Sequence, residues 1–287
     1  MDHAQAIEAF DARVDDVLNW LRDHTGFLFD HTRAALDTFY GGINWLLATP
    51  NPYLVMAVFA GLGLWLVGWR FALLAGAGLF FCSAMGLWPE TMGTLALVIA
   101  STALGLAIGL PVGVWAGYRP RVDQLVEPLL DTLQTLPPYI YLLPAIALLG
   151  YGPATSLVAT VLVAIAPALR LASLGIRMTP NEYIELGHAN GISPWQMFFK
   201  IRLPFAVPSI MAGVNQSLMM AFGMVVIAGI VGSGGLGQAI YEAVRTLDIA
   251  KSIDASIAIV ILTMVLDRLT QSAGQGAGAR KKNGAAR

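Results

Sequence analysis

The chain has 287 residues, of which 56% are hydrophobic and 12% charged, and its mean hydropathy is +0.66. Soluble domains carry roughly 25% charged residues, so this composition excludes an ordinary globular enzyme and predicts an all-α polytopic membrane protein. A net charge of −1 leaves no basic surplus for nucleic acid, and the single cysteine, Cys82, permits neither an intrachain disulfide nor a thiolate metal cluster.

The start, MDHAQAIEAF, lacks the basic and apolar regions of a cleavable signal peptide, so the first hydrophobic spans are expected to direct insertion. Residues 1–50 form an amphipathic N-terminal segment whose acids interrupt every apolar window. Ile7, Phe10, Val14, Val17, Leu18 and Leu21 share one helical face, and Asp11, Asp15 and Asp16 lie off it. A second amphipathic helix, about 32–47, carries Leu36, Phe39, Tyr40, Ile43, Trp45 and Leu46, suited to the membrane surface, the bundle or the first helix. His24 and His31 have no ligand-like partners nearby in sequence and read as solvated.

About seven spans follow by length. Residues 51–88 hold two accessory spans, about 53–69 and 71–88, with Arg70 between them. The core, 89–272, opens with a Gly-rich span at about 91–117. The next, about 128–150, contains Pro137, Pro138 and Pro144 and must be kinked or broken; such backbone survives at membrane depth only beside protein or a watery cavity. Spans at about 154–174, 205–231 and 254–269 complete the count. The tail, 273–287, is small, polar and basic and reads as disordered. Arg70, Arg119, Arg121, Arg177, Lys200, Arg202 and the 280–282 basic cluster fall on one side of a seven-span chain, which predicts a cytoplasmic C-terminus and an external N-terminus. The N-terminal segment's eight acids against three arginines agree with that.

Between the fifth and sixth spans lies a polar island, Thr179 to Pro204. TPNEYIELGHANG predicts a short helix with Thr179 as N-cap, Pro180 first and Glu182 completing a capping box, stopped by Gly191 in a left-handed turn. ISPWQMFFKIRLP repeats the pattern with Ser193, Pro194 and Gln196. A helix, a glycine hinge and a second helix result. Gly187, Ala189 and Gly191 are small enough for a partner surface to approach, and Trp195, Phe198 and Phe199 can anchor the second helix to its own protein.

Gly232, Gly234, Gly235 and Gly237 do not form a phosphate loop, because no G-x-x-x-x-G-K-[ST] occurs and they follow a span rather than a strand. They predict a tight turn or gate at the end of the sixth span. No nucleophile stands with a base, so this chain is not expected to be an enzyme. Asp131, Gln134, Arg170, Asn215, Gln216, Asp267 and Arg268 are the polar residues within or near spans, each with a pathway role or structural pairing as its explanation. Tyr139 and Tyr141 flank the kink and offer π faces to a cation, or anchor the span.

Glu185, Leu186 and Gly187, three residues, Gly191, nine residues, Ile201, one residue, then Leu203 and Pro204 resemble the EAA loop of bacterial ABC importer permeases, the coupling helix that sits in a cleft of the ATPase subunit. Leu186 and Gly187 depart from the usual two alanines, and the glycine weakens the helix by up to about 1 kcal/mol. LDTLQTLPPYIYLLPAIALLGYG, PFAVPSIMAGVNQSLMMAFGMVVIAGIVGSGGLG and the closing IAIVILTMVLDRLTQ widen the likeness to the glycine betaine, proline betaine and choline branch, over about 88–271. The resemblance implies a type I importer permease in the bacterial inner membrane, working as a homodimer. It also implies two ATPase subunits that bind the ATP and Mg, with no cofactor in this chain, and an external binding protein that delivers the solute. Coupling then falls to Glu185, Leu186, Gly187, Gly191, Ile201 and Pro204. Gate or pathway candidates are Pro137, Pro138, Tyr139, Tyr141, Asn215, Gly232, Gly234 and Gly235. A permease for another solute such as an amino acid, or a secondary carrier or channel, are the alternatives.

Overall fold

The computed structural model describes residues 3–284, and the side chains within them except those of 3–11, 14, 15, 18 and 275–284. Among the described residues every regular element is helical. The order is α1 (His3–Ala48), α2 (Pro52–Leu66), α3 (Trp69–Ala84), α4 (Trp88–Tyr118), α5 (Pro120–Thr135), α6 (Tyr139–Leu149), α7 (Pro153–Arg177), α8 (Asn181–Ala189), α9 (Pro194–Gln196), α10 (Leu203–Ala228), α11 (Gly235–Thr246) and α12 (Ile249–Gly284). A π-helical turn, Met197–Arg202, joins α9 to α10 without a break.

Four helical stretches are long and apolar enough to cross a membrane by themselves: α4, α7, Pro194–Val231 and 249–274 of α12. Two bent pairs, Asn19–Ala48 with α2 at 92° and α5 with α6 at 98°, pass the same test jointly, and α3 is apolar but shorter. Seven spans is therefore an approximate count. The expected N-terminal pair is one continuous helix, because Gly26 costs only about 1 kcal/mol in a helix interior and the flanking turns extend through it. Of the predicted apolar face, Ile7, Phe10, Val14 and Leu18 lie outside the described side chains, while Val17 is exposed. α12 continues to Gly284, into the tail whose composition predicts disorder.

The centre of the bundle is α4 packed along α7, with α10 packed along α7 as well and also touching α4. In lipid the hydrophobic effect gives little preference for helix against helix, so close approach and dispersion must hold them. The sequence supplies that approach with glycine every fourth residue of α4: Gly105, Gly109, Gly113 and Gly117, all buried. A Cβ on Gly113 would stand 2.4 Å from the Leu169 carbonyl oxygen, and one on Gly117 would stand 2.7 Å from Ile176 Cβ. Met92, Leu95, Val98, Leu157, Phe222, Val225, Leu262 and Val265 fill the rest of the core, and Leu36, Tyr40 and Ile43 of α1 pack against it.

Candidate functional site

The polar island folds as a helix, a hinge and a second helix, with several details changed. Pro180, not Thr179, is the N-cap of α8, and the Thr179 hydroxyl instead donates to the Ile176 carbonyl at 3.0 Å, closing the end of α7. Pro180 accordingly precedes the helix rather than opening it. At the other end Gly191 is left-handed with φ +65°; its N–H donates to the His188 carbonyl and the Ile192 N–H donates to the Gly187 carbonyl, at 3.0 and 3.2 Å. This Schellman pattern satisfies carbonyls that the ending helix leaves free. The Ser193 capping box forms as the sequence predicts, with Gln196 N–H to Ser193 Oγ at 3.3 Å and Ser193 N–H to Gln196 Oε1 at 3.0 Å.

Gly187 faces its own chain. It is buried, and a Cβ there would meet Ile192 Cδ1 and Met197 Cε at 2.8 Å and Ile201 Cδ1 at 3.0 Å. Its small size lets α8 fold down on its own hinge, so the face of α8 turned outward is Glu182, Glu185, Leu186 and Ala189. Trp195 and Phe199 are likewise not internal anchors; they are 73% and 54% exposed and stack on each other at 5.7 Å. Phe198 is the anchor of the three, half-buried with its ring 6.4 Å from that of Tyr118. Arg202 lies 4.5 Å above the Tyr118 ring, fixing the end of α4 to the foot of α10 by a contact worth about 0.5–2 kcal/mol. Val114, Tyr118, Ile192, Trp195, Phe198 and Arg202 line an apolar cavity of about 680 Å³ beside this element. Pro204 stands where the π turn passes into α10, so its missing N–H omits one intrahelical bond from an otherwise continuous rod that joins the second docking helix to the sixth span.

The Pro-rich span is broken where the sequence predicts. Leu136, Pro137 and Pro138 separate α5 from α6 at 98°, while Pro128 and Pro144 are carried inside their helices. Tyr139 is 54% exposed, but Tyr141 is 8% exposed and its hydroxyl donates to the Leu133 carbonyl across the break. α5 is held to α7 by two ion pairs: Arg170 reaches Asp131 at 2.6 Å and Gln134 at 3.1 Å, and Arg177 pairs with Asp123, which also accepts from Ser173 at 2.8 Å. Asp131 and Arg170 are 61% and 40% exposed, so their pair contributes at most about 1 kcal/mol. Asn215 is paired rather than free, its Oδ1 lying 3.0 Å from the Thr270 hydroxyl. Gln271 donates to both oxygens of Asp267 at 2.7 and 2.8 Å.

After α10 a 3₁₀ turn, Gly229–Val231, leads into the glycine segment, where Gly232, Gly234 and Gly235 all have positive φ between 71° and 79°. The sequence predicts this turn but not α11, which follows at once and buries Leu236, Ala239 and Ala243. Gly229 crosses Gly237 so closely that a Cβ would stand 2.2 Å from backbone carbon. Leu236 N–H donates to Thr94 Oγ1 at 2.7 Å, which ties the segment to α4. Thr94, Tyr118, Arg202, Asp123 and Arg177 carry these contacts without any local motif that marks them.

A bundle built on α4, α7 and α10, with a broken span, a glycine turn at one end and an exposed, well-capped helix–hinge–helix at the other, defines the membrane component of a solute transporter. The chain belongs to the family described as binding-protein-dependent transport system inner membrane component, whose model matches residues 109–274. It is 38% identical over 94% of its length to the glycine betaine/proline betaine transport system permease protein ProW of Escherichia coli, covering 76% of that protein. It is also 38% identical over 90% of its length to the glycine betaine transport system permease protein OpuAB of Bacillus subtilis, covering 92% of it. Glycine betaine/carnitine transport permease protein GbuB of Listeria monocytogenes is 35% identical, with 90% of this chain and 93% of that protein covered. The solved inward-facing MetNI methionine ABC transporter superposes with a TM-score of 0.60 at 26% identity, over 68% of this chain and 95% of that one.

Proposed function

We propose that the chain is the translocation subunit of an ATP-driven importer for betaine-type quaternary ammonium solutes. The observation that carries the coupling half of this reading is the element 181–204: a nine-residue helix locked by a left-handed hinge to a rod continuous with α10. Force applied to α8 has a continuous path through the capping box, the packing of Gly187 against Met197 and Ile201, and the Arg202–Tyr118 contact, which join α8 to α10 and α4. The solute half rests on the relatives, several of which are glycine betaine permeases.

In this reading Glu185 and Leu186 meet an ATPase subunit that binds ATP and Mg and carries out hydrolysis, and Gly191 is the hinge that orients them. Closure of two such ATPases moves α8 in both copies of a homodimer, tilts α4, α7 and α10, and opens the glycine segment around Gly232 to a binding protein outside. With seven spans the C-terminus is cytoplasmic and the N-terminus external, the arrangement that puts most of the loop Lys and Arg residues on the inner side. Pro137, Pro138 and Tyr139 at the break between α5 and α6 line the pathway. No ligand residue is assigned.

Uptake of labelled glycine betaine and choline into liposomes, with the cognate ATPase and binding protein, tests both halves. ATP-dependent uptake competed by unlabelled betaine is expected; uptake that persists without ATP and the ATPase sinks the reading in favour of a secondary carrier. Competition by methionine but not betaine would keep the importer and reassign its solute.

A further inference from the structure

α7 begins without a capping side chain of its own. Gly152 is its N-cap, no side chain of that residue exists to accept, and Pro153 follows. The acceptor comes from 117 positions away: Asp37 Oδ1 on α1 takes the Ala154 N–H at 3.0 Å. A carboxylate there also complements the partial positive charge at a helix start. One turn earlier on α1, Arg33 donates to the Tyr151 carbonyl at 3.2 Å and lies 3.6 Å from Asp37 Oδ2, so the two side chains grip both ends of the Tyr151–Ala154 turn. That turn is backbone-linked to the glycine segment, since Gly152 N–H donates to the Val231 carbonyl at 3.1 Å and Ser156 reaches the Ala228 carbonyl at 3.3 Å. Gly150 and Gly152, at φ +74° and +132°, form the turn, and the Thr155 hydroxyl closes it on the Gly150 carbonyl.

We infer that Arg33 and Asp37 are gate-positioning residues: α1 is a strap that holds the Gly150–Ala154 turn, and through it the 228–235 segment, in its closed arrangement. The clasp sits at the opposite end of α7 from α8, so the strap must release, or move with the turn, whenever the docking element drives the gate open. This inference rests on the permease reading for its purpose, but its geometry does not depend on the solute.

The test uses the full chain assembled with its ATPase in lipid nanodiscs, with the buried Cys82 replaced by Ala and a reporter at Ser233→Cys, a position 4% exposed in the closed gate. The rate of maleimide labelling reports opening and needs neither solute nor ATP. Asp37→Ala is expected to raise that rate about fivefold, the scale of one lost hydrogen bond, and to raise ATP hydrolysis in the absence of binding protein. Asp37→Asn keeps a capping oxygen and is expected to restore the parent rate, which general destabilisation would not do. If Asp37→Ala does not assemble, Arg33→Gln carries the test, with an increased rate expected. Parental labelling in the assembled Asp37→Ala or Arg33→Gln variant overturns the inference. Labelling in Asp37→Asn as fast as in Asp37→Ala overturns the cap as its cause. Absence of ATP-driven uptake with these labelling differences intact would instead strike the permease reading and leave the strap standing.

Discussion

At Gly187 two effects oppose each other. Alanine would gain about 1 kcal/mol of helix propensity, but its Cβ would press on three side-chain termini, Ile192 Cδ1, Met197 Cε and Ile201 Cδ1. Those termini are flexible, so Gly187→Ala is expected to leave the thermal midpoint and uptake of the assembled importer nearly unchanged. Gly187→Phe overfills the same space and should cost about 1–3 kcal/mol, read as a lowered midpoint together with weakened ATPase binding. A midpoint unchanged by phenylalanine would mean that α8 does not rest on its hinge. A small residue on an amphipathic turn marks a close approach, but spacing does not say which surface approaches, and here the chain's own Met197 and Ile201 lie beside it. Thr179 poses a similar choice. Its place before Pro180 fits an N-cap equally well on paper, but the hydroxyl is taken by the carbonyl at the end of α7.

Along α4 the glycines are not equivalent, although their spacing is regular. A Cβ at Gly105 would meet Ala164 Cβ at 3.5 Å, an ordinary contact, whereas at Gly113 it would lie 2.4 Å from a backbone oxygen that cannot rotate away. Gly105→Ala should therefore be tolerated within about 1 kcal/mol, while Gly113→Ala must push α4 off α7 and should cost 1–3 kcal/mol or more. Thermal unfolding of the two variants in the same detergent checks the gradient; equal losses would show that the helices relax apart uniformly. The same element scale explains what was and was not legible. Helix lengths, the break at Pro137 and Pro138 and the Ser193 capping box follow from local propensity. The union of α9, the π turn and α10 depends on apolar neighbours that no window of sequence contains, whereas α11 carries its own amphipathic stripe, Leu236, Ala239, Ile240 and Ala243, which a local window does hold.

For the molecule as a whole, the two ends of the bundle should respond separately to substitution when no ATP drives the coupling between them. Glu185→Arg reverses the outward charge of α8 and is expected to lower ATP-driven uptake about tenfold or more, with membrane insertion and Ser233→Cys labelling unaltered. Normal uptake in that variant would remove the docking assignment. At the other end, a chain lacking residues 2–30 keeps Arg33, Leu36, Asp37 and Tyr40 and should hold the gate closed. Extending the deletion through residue 40 removes the clasp and two side chains packed near the core, and should raise labelling at the reporter. Identical labelling of the two truncations would mean that α1 is dispensable to the gate.

By itself the sequence determined the class: 56% apolar residues with few charges require helices in lipid, paired prolines require a break, and capped polar turns between spans require an exposed helix–hinge–helix. The tertiary structure decided which way each of those residues faces and what it touches. Gly187 turns inward, Trp195 outward, and Asp37 caps a helix 117 residues distant. The physical reason is that hydrogen-bond donors at a helix start and empty space beside a glycine are local demands that any nearby group can meet, and only the packing of α1, α4, α7 and α10 selects which group is near.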